Sequence, residues 1–287
     1  MKLAIFADIH SNYPNFKKGI EDAKNRNIDE YIFLGDYVTD GFDGNKVIEL
    51  VKKTKGYAIC GNREIAMIEY EKGTTINYDK YYNLRNVKFS YDSLNKESLD
   101  YIKTLDMYKI IELENKKICI SHSTPYSVTG DLFYNSYEVF DKLIQDFNCD
   151  IYLFGHEHKN YHTIYKGKHF INPGAIGTPA HEVPITYGIL EIDENNIKYE
   201  KIELQYDYEE IEKYYKQSDY YKYAMYWCNL ILENFKDGKN HTEKVVLLAK
   251  EKMEKISKEY NVAIPNDIFI ESYEKYMNEL EKKRGNK

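Results

Sequence analysis

The sequence is short of proline, tryptophan and long apolar runs. Only 6 of its 287 residues are proline and only one is tryptophan, which argues against proline-rich linkers or recognition segments. No apolar run approaches the roughly 18 residues that a membrane-spanning helix needs, and the apolar stretch after Met1 is too short for a signal peptide. We therefore expect a cytoplasmic protein with no membrane partner.

The sequence also has fewer basic than acidic residues. Lysine and arginine number 40 against 47 aspartates and glutamates, a formal net charge of −7. Nucleic-acid binding depends on neutralising phosphates with lysine and arginine, so we expect no nucleic-acid partner. A small phosphorylated substrate stays compatible with this charge, because bound metal ions can supply local positive charge. The four cysteines lie in or beside apolar runs, which favours buried thiols over a disulfide framework.

Strand, loop and helix alternate three times at the start of the chain. Apolar runs at 2–7, 31–34 and 56–60 read as buried strands, and helical patterns at about 14–26 and 45–54 separate them. This alternation predicts an α/β fold with a largely parallel sheet.

The remaining chain divides into an interruption, more strands and a helical tail. Residues 65–105 are polar and rich in tyrosine, and we interpret them as helices inserted above the sheet. Further strands are predicted at 107–113, 116–121, 151–154, 161–165, 168–172, 186–193 and 197–204. One helix is predicted between the second and third of these, at 136–147. Beyond residue 205 apolar residues such as Tyr220, Trp227 and Ile231 recur at helical spacing, which predicts three or four helices.

Side chains that bind metal ions recur where the predicted strands end. They are Asp8, His10, Asp36, Asn62, His122, His156 and His158. In a parallel α/β sheet the loops after the strands converge in one crevice. A mixed oxygen and nitrogen set suits manganese, iron or zinc, and seven ligands suit two ions that share a carboxylate. Taken singly, each residue could equally be a turn, capping or surface residue.

The order and spacing of these motifs resemble the calcineurin-like metallophosphoesterase superfamily. The motifs are D-x-H at 8–10, G-D-x-x-x-D at 35–40, G-N-R-E at 61–64, S-H at 121–122 and G-H-x-H at 155–158. The resemblance implies a metallophosphoesterase-type four-layer β-sandwich flanked by helices. It also implies a catalytic domain over 1–204, with the helical insert 65–105 over the site, and a C-terminal helical extension over 205–287.

Two shorter stretches narrow the resemblance. Residues 172–177 are similar to the smaller bacterial phosphodiesterases of the family. Residues 206–208 and 238–242 look like the helical C-terminus of a bacterial group of diadenosine-tetraphosphate hydrolases.

The resemblance implies a ligand set for two divalent ions, with Mn²⁺ or iron expected and Zn²⁺ as an alternative. One ion would be held by Asp8, His10, Asp36 and His158. The other would be held by Asp36, Asn62, His122 and His156, so that Asp36 bridges both and is a catalytic residue. In such centres water activated between the ions attacks phosphorus, and no covalent protein nucleophile is needed.

Arg63 departs from the family pattern, in which many phosphatases have histidine after G-N. A guanidinium cannot act as a general acid, but it can bind phosphate oxygens through two parallel hydrogen bonds. We assign Arg63 a catalytic and substrate-binding role, with an ion pair to Glu64 or another nearby carboxylate as the alternative. His181 is a second substrate-binding candidate, because its loop could approach the crevice. His241 matters only if the tail folds back over the site.

The function expected is metal-dependent hydrolysis of a phosphoric ester or anhydride in a small nucleotide. A dinucleoside polyphosphate is favoured, because its leaving group is a stable anion and tyrosines could stack on adenine. The alternatives are a broad phosphodiesterase acting on small diesters, a nuclease of the same superfamily, and a non-catalytic scaffold such as the retromer subunit that resembles these enzymes. The C-terminal helices are a candidate homodimer contact.

Overall fold

A computed structural model describes residues 1–181, 183–257 and 263–285. Its first sheet has the strand order β10-β9-β1-β2-β3. The strands are β1 (Lys2–Phe6), β2 (Glu30–Phe33), β3 (Tyr57–Ala58), β9 (Ile185–Ile192) and β10 (Ile197–Leu204). The first strand of the chain is central, since β1 pairs in parallel with β2 and antiparallel with β9.

The second sheet has the order β4-β5-β6-β8-β7. Its strands are β4 (Tyr108–Leu113), β5 (Lys116–Ser121), β6 (Ile151–Leu153), β7 (Asn160–Tyr165) and β8 (Lys168–Pro173). The inner strands β5, β6 and β8 are parallel, and antiparallel edge strands flank them. The predicted strands are present, but they divide between two mixed sheets.

The two sheets pack face to face, and helices cover both outer faces. Aliphatic side chains from both sheets, among them Ile5, Ile32, Ile120 and Leu153, fill the space between the sheets. Burial of this apolar surface stabilises the sandwich by about 25 cal/mol per Å². A larger apolar cluster lies between the first sheet and its helices, and a smaller one lies under the helix on the second sheet. The four-layer α/β sandwich implied by the resemblance is confirmed.

The helices of residues 1–204 follow the strands in chain order. They are α1 (Tyr13–Lys24), α2 (Gly44–Thr54), α3 (Asn62–Glu71), α4 (Arg85–Ser93), α5 (Lys96–Lys103) and α6 (Tyr137–Phe147), with one 3₁₀ turn at Tyr78–Lys80. The start of α1 shows why they form where they do. Asn12 caps the helix by accepting from the Asn15 backbone N–H, and Pro14 lies in the first turn, where its missing N–H costs nothing.

The tyrosine-rich segment 65–105 is helical, as expected, but its position differs from the expectation. It packs against α2 and against the C-terminal helices; the Arg85 guanidinium, for example, lies over the rings of Tyr82 and Tyr223. None of residues 65–105, all of which the structure describes, lines the cavity over the predicted metal ligands. Its tyrosines are instead used in packing between helices, which sequence periodicity cannot distinguish from substrate contact.

The C-terminal extension contains five helices in the part of the chain that the structure describes, so the prediction of three or four was wrong. They are α7 (Tyr208–Lys216), α8 (Asp219–Tyr223), α9 (Met225–Asp237), α10 (His241–Ser257) and α11 (Asn266–Gly285). The apolar spacing continues across the break at Ala224, whose backbone leaves the helical region at φ −126° and ψ 41°. The apolar periodicity of the sequence therefore predicts one helix where the structure has two, α8 and α9.

The extension packs on the catalytic domain. The Tyr214 hydroxyl donates to the Asp43 carboxylate at 2.7 Å, and the Ile264 N–H donates to the Asn83 side chain at 3.2 Å. Leu230, Ile231 and Phe235 are buried in the same apolar cluster as α1 and α2. A homodimer through these helices stays a prediction.

Two expectations from the sequence can be compared with the structure: the lack of a membrane-spanning helix and the burial of the cysteines. Within residues 1–181, 183–257 and 263–285, no helix is both long enough and apolar enough to cross a bilayer. All four cysteines are buried free thiols, as expected.

Candidate metal centre

Two neighbouring strand ends carry the first ligand candidates. The loop after β1 places Asp8 and His10, and the loop after β2 places Asp36. The backbone N–H groups of Ile9 and His10 donate to the Asp36 carbonyl oxygen at 2.9 and 2.8 Å. Asp8, His10 and Asp36 all have φ between 49° and 55°, a conformation that non-glycine residues rarely adopt. These side chains are therefore aimed by strained backbone that their shared hydrogen bonds hold in place.

Two glycines allow the backbone to approach these loops. Gly35 has φ +90°, and a Cβ there would lie 2.4 Å from the Gly61 nitrogen. A Cβ on Gly177 would lie 1.9 Å from the Ile9 carbonyl oxygen. No side chain fits at either distance, so glycine is required where the loops cross.

The structure brings all seven predicted metal ligands together. His10 Nε2 lies 3.0 Å from His158 Nε2, and His158 Nε2 lies 3.5 Å from Asp8 Oδ1. Asp36 spans the group, with Oδ2 3.9 Å from His10 Nε2 and Oδ1 3.4 Å from His122 Nε2.

Asn62 connects the remaining histidines. Its Oδ1 lies 2.9 Å from His122 Nε2 and 3.0 Å from His156 Nδ1. Donor atoms close enough to hold an ion form two groups, Asp8–His10–His158 and Asp8–Asp36–His122.

The histidines are oriented so that their lone pairs converge. His122 Nδ1 lies 2.7 Å from the Leu34 carbonyl oxygen, and His158 Nδ1 lies 2.7 Å from the Thr178 carbonyl oxygen. A carbonyl oxygen only accepts, so each Nδ1 carries a proton and Nε2 is the ring nitrogen available to a metal ion. Those Nε2 atoms face other acceptors, which repel them unless a cation lies between. This pattern of outer hydrogen bonds is the one that metal-binding histidines use.

The protonation of the buried groups fits the same conclusion. Burial raises the pKa of the Asp8 carboxyl to about 8, and its Oδ2 has no hydrogen-bond partner. Burial alone would lower the pKa of His122, but the Asp36 and Asp8 carboxylates raise it to about 9. Burial lowers the pKa of His156 to about 4. A divalent cation would satisfy the orphaned oxygen and replace these protons, so the residues present fit such an ion.

Arg63 and Glu64 have separate partners: Arg63 pairs with other nearby carboxylates, as the alternative allowed, and not with Glu64. Arg63 Nη2 lies 3.1 Å from Asp40 Oδ2, and Arg63 Nε lies 3.7 Å from Asp36 Oδ2. Glu64 is fully buried and accepts from the backbone N–H groups of Gly61, Asp36 and Tyr37 at 2.7–2.8 Å. Arg63 thus stands at the centre, whereas Glu64 ties the start of α3 to the loop after β2.

A cavity of about 290 Å³ opens above the ligands. Its wall includes Arg63 and, as expected, the exposed His181. The opposite wall is formed by the C-terminal extension, through Ile231, Asn234, Asn240, Thr242 and Glu243. The tail therefore folds back over the site. His241 nevertheless points away, because its ring bonds to Asp237 and Tyr276.

Several residues at the site were not predicted. Asp40 belongs to the G-D-x-x-x-D motif, but nothing in the motif shows that it contacts Arg63 and His10. Asp131, Glu157 and Glu243 make one part of the cavity acidic. Burial, with smaller contributions from nearby Asp131 and Glu243, raises the pKa of Glu157 to about 7. Residues 238–242 could be singled out from the sequence through their resemblance to the diadenosine-tetraphosphate hydrolases. Two of them, Asn240 and Thr242, line the cavity.

Comparison with known proteins agrees with this geometry. The family model of the calcineurin-like phosphoesterase superfamily domain matches residues 1–195. An uncharacterised protein of Methanocaldococcus jannaschii is 25% identical in an alignment 237 positions long, which covers 74% of this chain and 92% of that protein.

Two solved structures share the fold at low sequence identity. A hypothetical protein from Pyrococcus horikoshii OT3 superimposes with a TM-score of 0.66 at 20% identity, covering 83% of this chain and 98% of its own. A metallophosphoesterase from Sphaerobacter thermophilus gives 0.65 at 19% identity, covering 83% and 100%. Residues 1–204 alone could not supply that coverage, so part of the helical extension is shared as well. The match to the family model over 195 of 287 residues shows that this chain belongs to the calcineurin-like phosphoesterase superfamily, and it is a metal-dependent hydrolase.

Proposed function

We propose that this chain hydrolyses small phosphodiesters at a centre of two divalent ions, with manganese or iron as the metals. The observation that carries the proposal is the pair of donor groups beside one small cavity, which Asp36 and His158 of these groups line. The groups share Asp8, and the two oxygens of Asp36 face His10 and His122. This arrangement supports Asp36 as the carboxylate between the two ions.

Different residues of the chain bind the phosphate and orient the rest of the substrate. Bound divalent ions would supply Lewis acidity toward the phosphoryl oxygens and would activate water. Arg63 donates to phosphate oxygens as a permanent cation, because its pKa is too high for it to lose a proton. Asn240 and Thr242 offer hydrogen bonds to the leaving group and, with the rest of the extension, exclude bulk water.

The size and charge of the cavity favour a small diester. About 290 Å³ holds a phosphate and one group of moderate size, and the extension forms part of the wall around that space. Among the described residues, Arg63 is the one lysine or arginine of the lining, whereas Asp131, Glu157 and Glu243 are acidic. Such a wall suits the hydroxyl or amino groups of a leaving group better than additional phosphates.

A dinucleoside polyphosphate, such as diadenosine tetraphosphate, is the second candidate. Arg63 favours it, because a nucleoside phosphate leaves as a stable anion and needs no general acid. Stacking of adenine on tyrosine no longer supports this candidate, since none of the tyrosines of 65–105 lines the cavity. Among the described residues, the lining contains one phenylalanine, Phe133, and no tyrosine or tryptophan. A tetraphosphate would also meet the acidic wall.

Kinetics on protein stripped with a chelator and reloaded with Mn²⁺ test the proposal. We expect bis-aryl phosphates and small natural diesters to be hydrolysed with higher kcat/KM than diadenosine tetraphosphate. The reverse order would establish the second candidate, and no turnover of any phosphoester by fully loaded protein would contradict both.

A matched pair of histidine variants checks that activity depends on this centre. His158→Gln removes a candidate ligand and should abolish most metal binding and turnover. His162→Gln is the control, because His162 is exposed and contacts only surface groups such as His169, at 2.9 Å. Equal activity in the two variants would place the chemistry elsewhere.

A further inference from the structure

Asp40 is a buried carboxylate that connects the metal centre to the C-terminal extension. It is 5% exposed and lies at the end of the loop after β2. Its Oδ2 faces the metal centre, 3.3 Å from His10 Nδ1 and 3.1 Å from Arg63 Nη2. The two groups that Asp40 touches on this side are therefore a candidate metal ligand and the candidate phosphate-binding residue.

The other oxygen of Asp40 is held from the opposite side. Oδ1 accepts from the indole Nε1–H of Trp227 at 2.7 Å and from Asn86 Nδ2 at 2.9 Å. The Tyr215 hydroxyl donates to the Asp40 backbone carbonyl at 3.0 Å. Trp227 and Tyr215 belong to the extension, so two of these three donors reach Asp40 from outside the catalytic domain.

We propose that Trp227 is a positioning residue for the metal centre, acting through Asp40 on His10 and Arg63. The indole N–H fixes the rotation of the Asp40 carboxylate, which directs Oδ2 toward His10 Nδ1. His10 Nδ1 has no hydrogen-bond partner, but the negative charge of Asp40 Oδ2 at 3.3 Å attracts a proton to Nδ1. That tautomer leaves the lone pair on Nε2, the atom that faces His158. The same carboxylate holds the guanidinium of Arg63 at the cavity wall.

Packing alone does not require this arrangement. Trp227 is 8% exposed within the apolar cluster that includes α9, and a phenylalanine could fill much of that space. A buried indole N–H must find an acceptor, and the acceptor here is the carboxylate next to a metal ligand. Removing the N–H leaves Oδ1 with Asn86 alone, so the carboxylate gains freedom to rotate. The inference holds whichever phosphoester is the substrate.

The first test measures metal affinity in the full chain. Stripped Trp227→Phe protein is titrated with Zn²⁺ by calorimetry, next to wild type and Tyr206→Phe. The control also loses a half-buried donor against the extension, since the Tyr206 hydroxyl donates to the Phe235 carbonyl, but it does not touch Asp40. We expect about 10-fold weaker binding in Trp227→Phe, as for loss of other outer-shell partners, and wild-type affinity in Tyr206→Phe.

The second test uses the fact that Trp227 is the single tryptophan of the chain. Zn²⁺ added to stripped wild-type protein should shift or change the intensity of its emission, because the ion alters the field at Asp40. Asp40→Asn should reduce that response, since the neutral amide no longer couples the indole to His10. A structural role of Trp227 alone would leave its emission insensitive to the metal.

The outcomes separate cleanly. Zn²⁺ affinity of Trp227→Phe within twofold of wild type, or the same loss in Tyr206→Phe, would overturn the proposal. If Trp227→Phe does not melt cooperatively, Asn86→Leu replaces it, because Asn86 donates to the same oxygen; unchanged affinity in that variant would equally overturn it. An emission spectrum that does not respond to Zn²⁺ while calorimetry shows binding would also contradict it.

Discussion

At the scale of single residues, Asp36 contacts ligands predicted for each of the two ions. Its two oxygens face His10 and His122, and it is 2% exposed. Asp36→Asn keeps the shape but removes the charge, so we expect metal content to fall below two equivalents and kcat/KM to fall at least about 100-fold. Elemental analysis and steady-state kinetics measure both. The exposed Asp146→Asn is the control, and two retained ions with turnover within tenfold would contradict the role.

Arg63 acts on substrate binding in the proposed function. Arg63→Lys keeps a positive charge but loses the planar fork that binds two oxygens at once. We expect KM to rise about 10-fold, which is about 1.4 kcal/mol, while both metal ions stay bound. Steady-state kinetics and elemental analysis on the same sample measure KM and metal content. A basic limb in the pH–rate profile that disappears in this variant would instead show a general acid.

Residue chemistry could be predicted from sequence only in part. D-x-H, G-D-x-x-x-D, G-N, S-H and G-H-x-H together gave every side chain of the ligand cluster, because a strand end aims its neighbours in a known direction. Asp40 shows the limit. Its partners Asn86 and Trp227 are 46 and 187 residues away, and no local pattern encodes a contact at that separation.

At the scale of secondary-structure elements, Glu64 joins the first turn of α3 to the loop after β2. It accepts three backbone N–H groups within 2.8 Å, those of Gly61, Asp36 and Tyr37. Glu64→Gln replaces one acceptor oxygen with an amide N–H₂ that faces buried donors. We expect the free energy of unfolding to fall by about 1–3 kcal/mol, measured by urea denaturation. Glu97→Gln, on the surface beside Lys52, is the control, and equal losses in the two would refute the role of Glu64.

Elements were easier to predict than their arrangement. Most predicted strands lie within two residues of their observed bounds, because short apolar runs between turn residues are distinctive. Their division between two sheets follows from pairings such as β1 with β9, which join residues nearly two hundred positions apart. The position of 65–105 depends likewise on contacts with α8, α9 and α11, not on its own pattern.

At the scale of the whole molecule, the extension and the catalytic domain share one apolar cluster and one cavity. A chain ending at residue 204 would expose the faces that Leu230, Ile231 and Phe235 cover. We therefore expect it to aggregate or to melt without cooperativity. Thermal denaturation followed by circular dichroism measures this, with the full chain as reference. Limited proteolysis that cuts near residue 205 and leaves a stable, fully active core would contradict this expectation.

The central place of β1 in its sheet has a consequence for how the protein is made. Asp8 and His10 are synthesised well before β9, yet β1 needs β9 at its side, and the Asp8 carbonyl oxygen accepts from the Gly177 N–H at 3.0 Å. At roughly 5–20 residues per second, a ribosome takes on the order of 10–40 s to extend the chain from residue 8 to β9. During that interval one edge of β1 lacks its partner strand, although β2 can already pair with the other edge. We therefore expect metal loading to follow the emergence of β9 and, if Trp227 positions the centre as proposed, of the C-terminal helices.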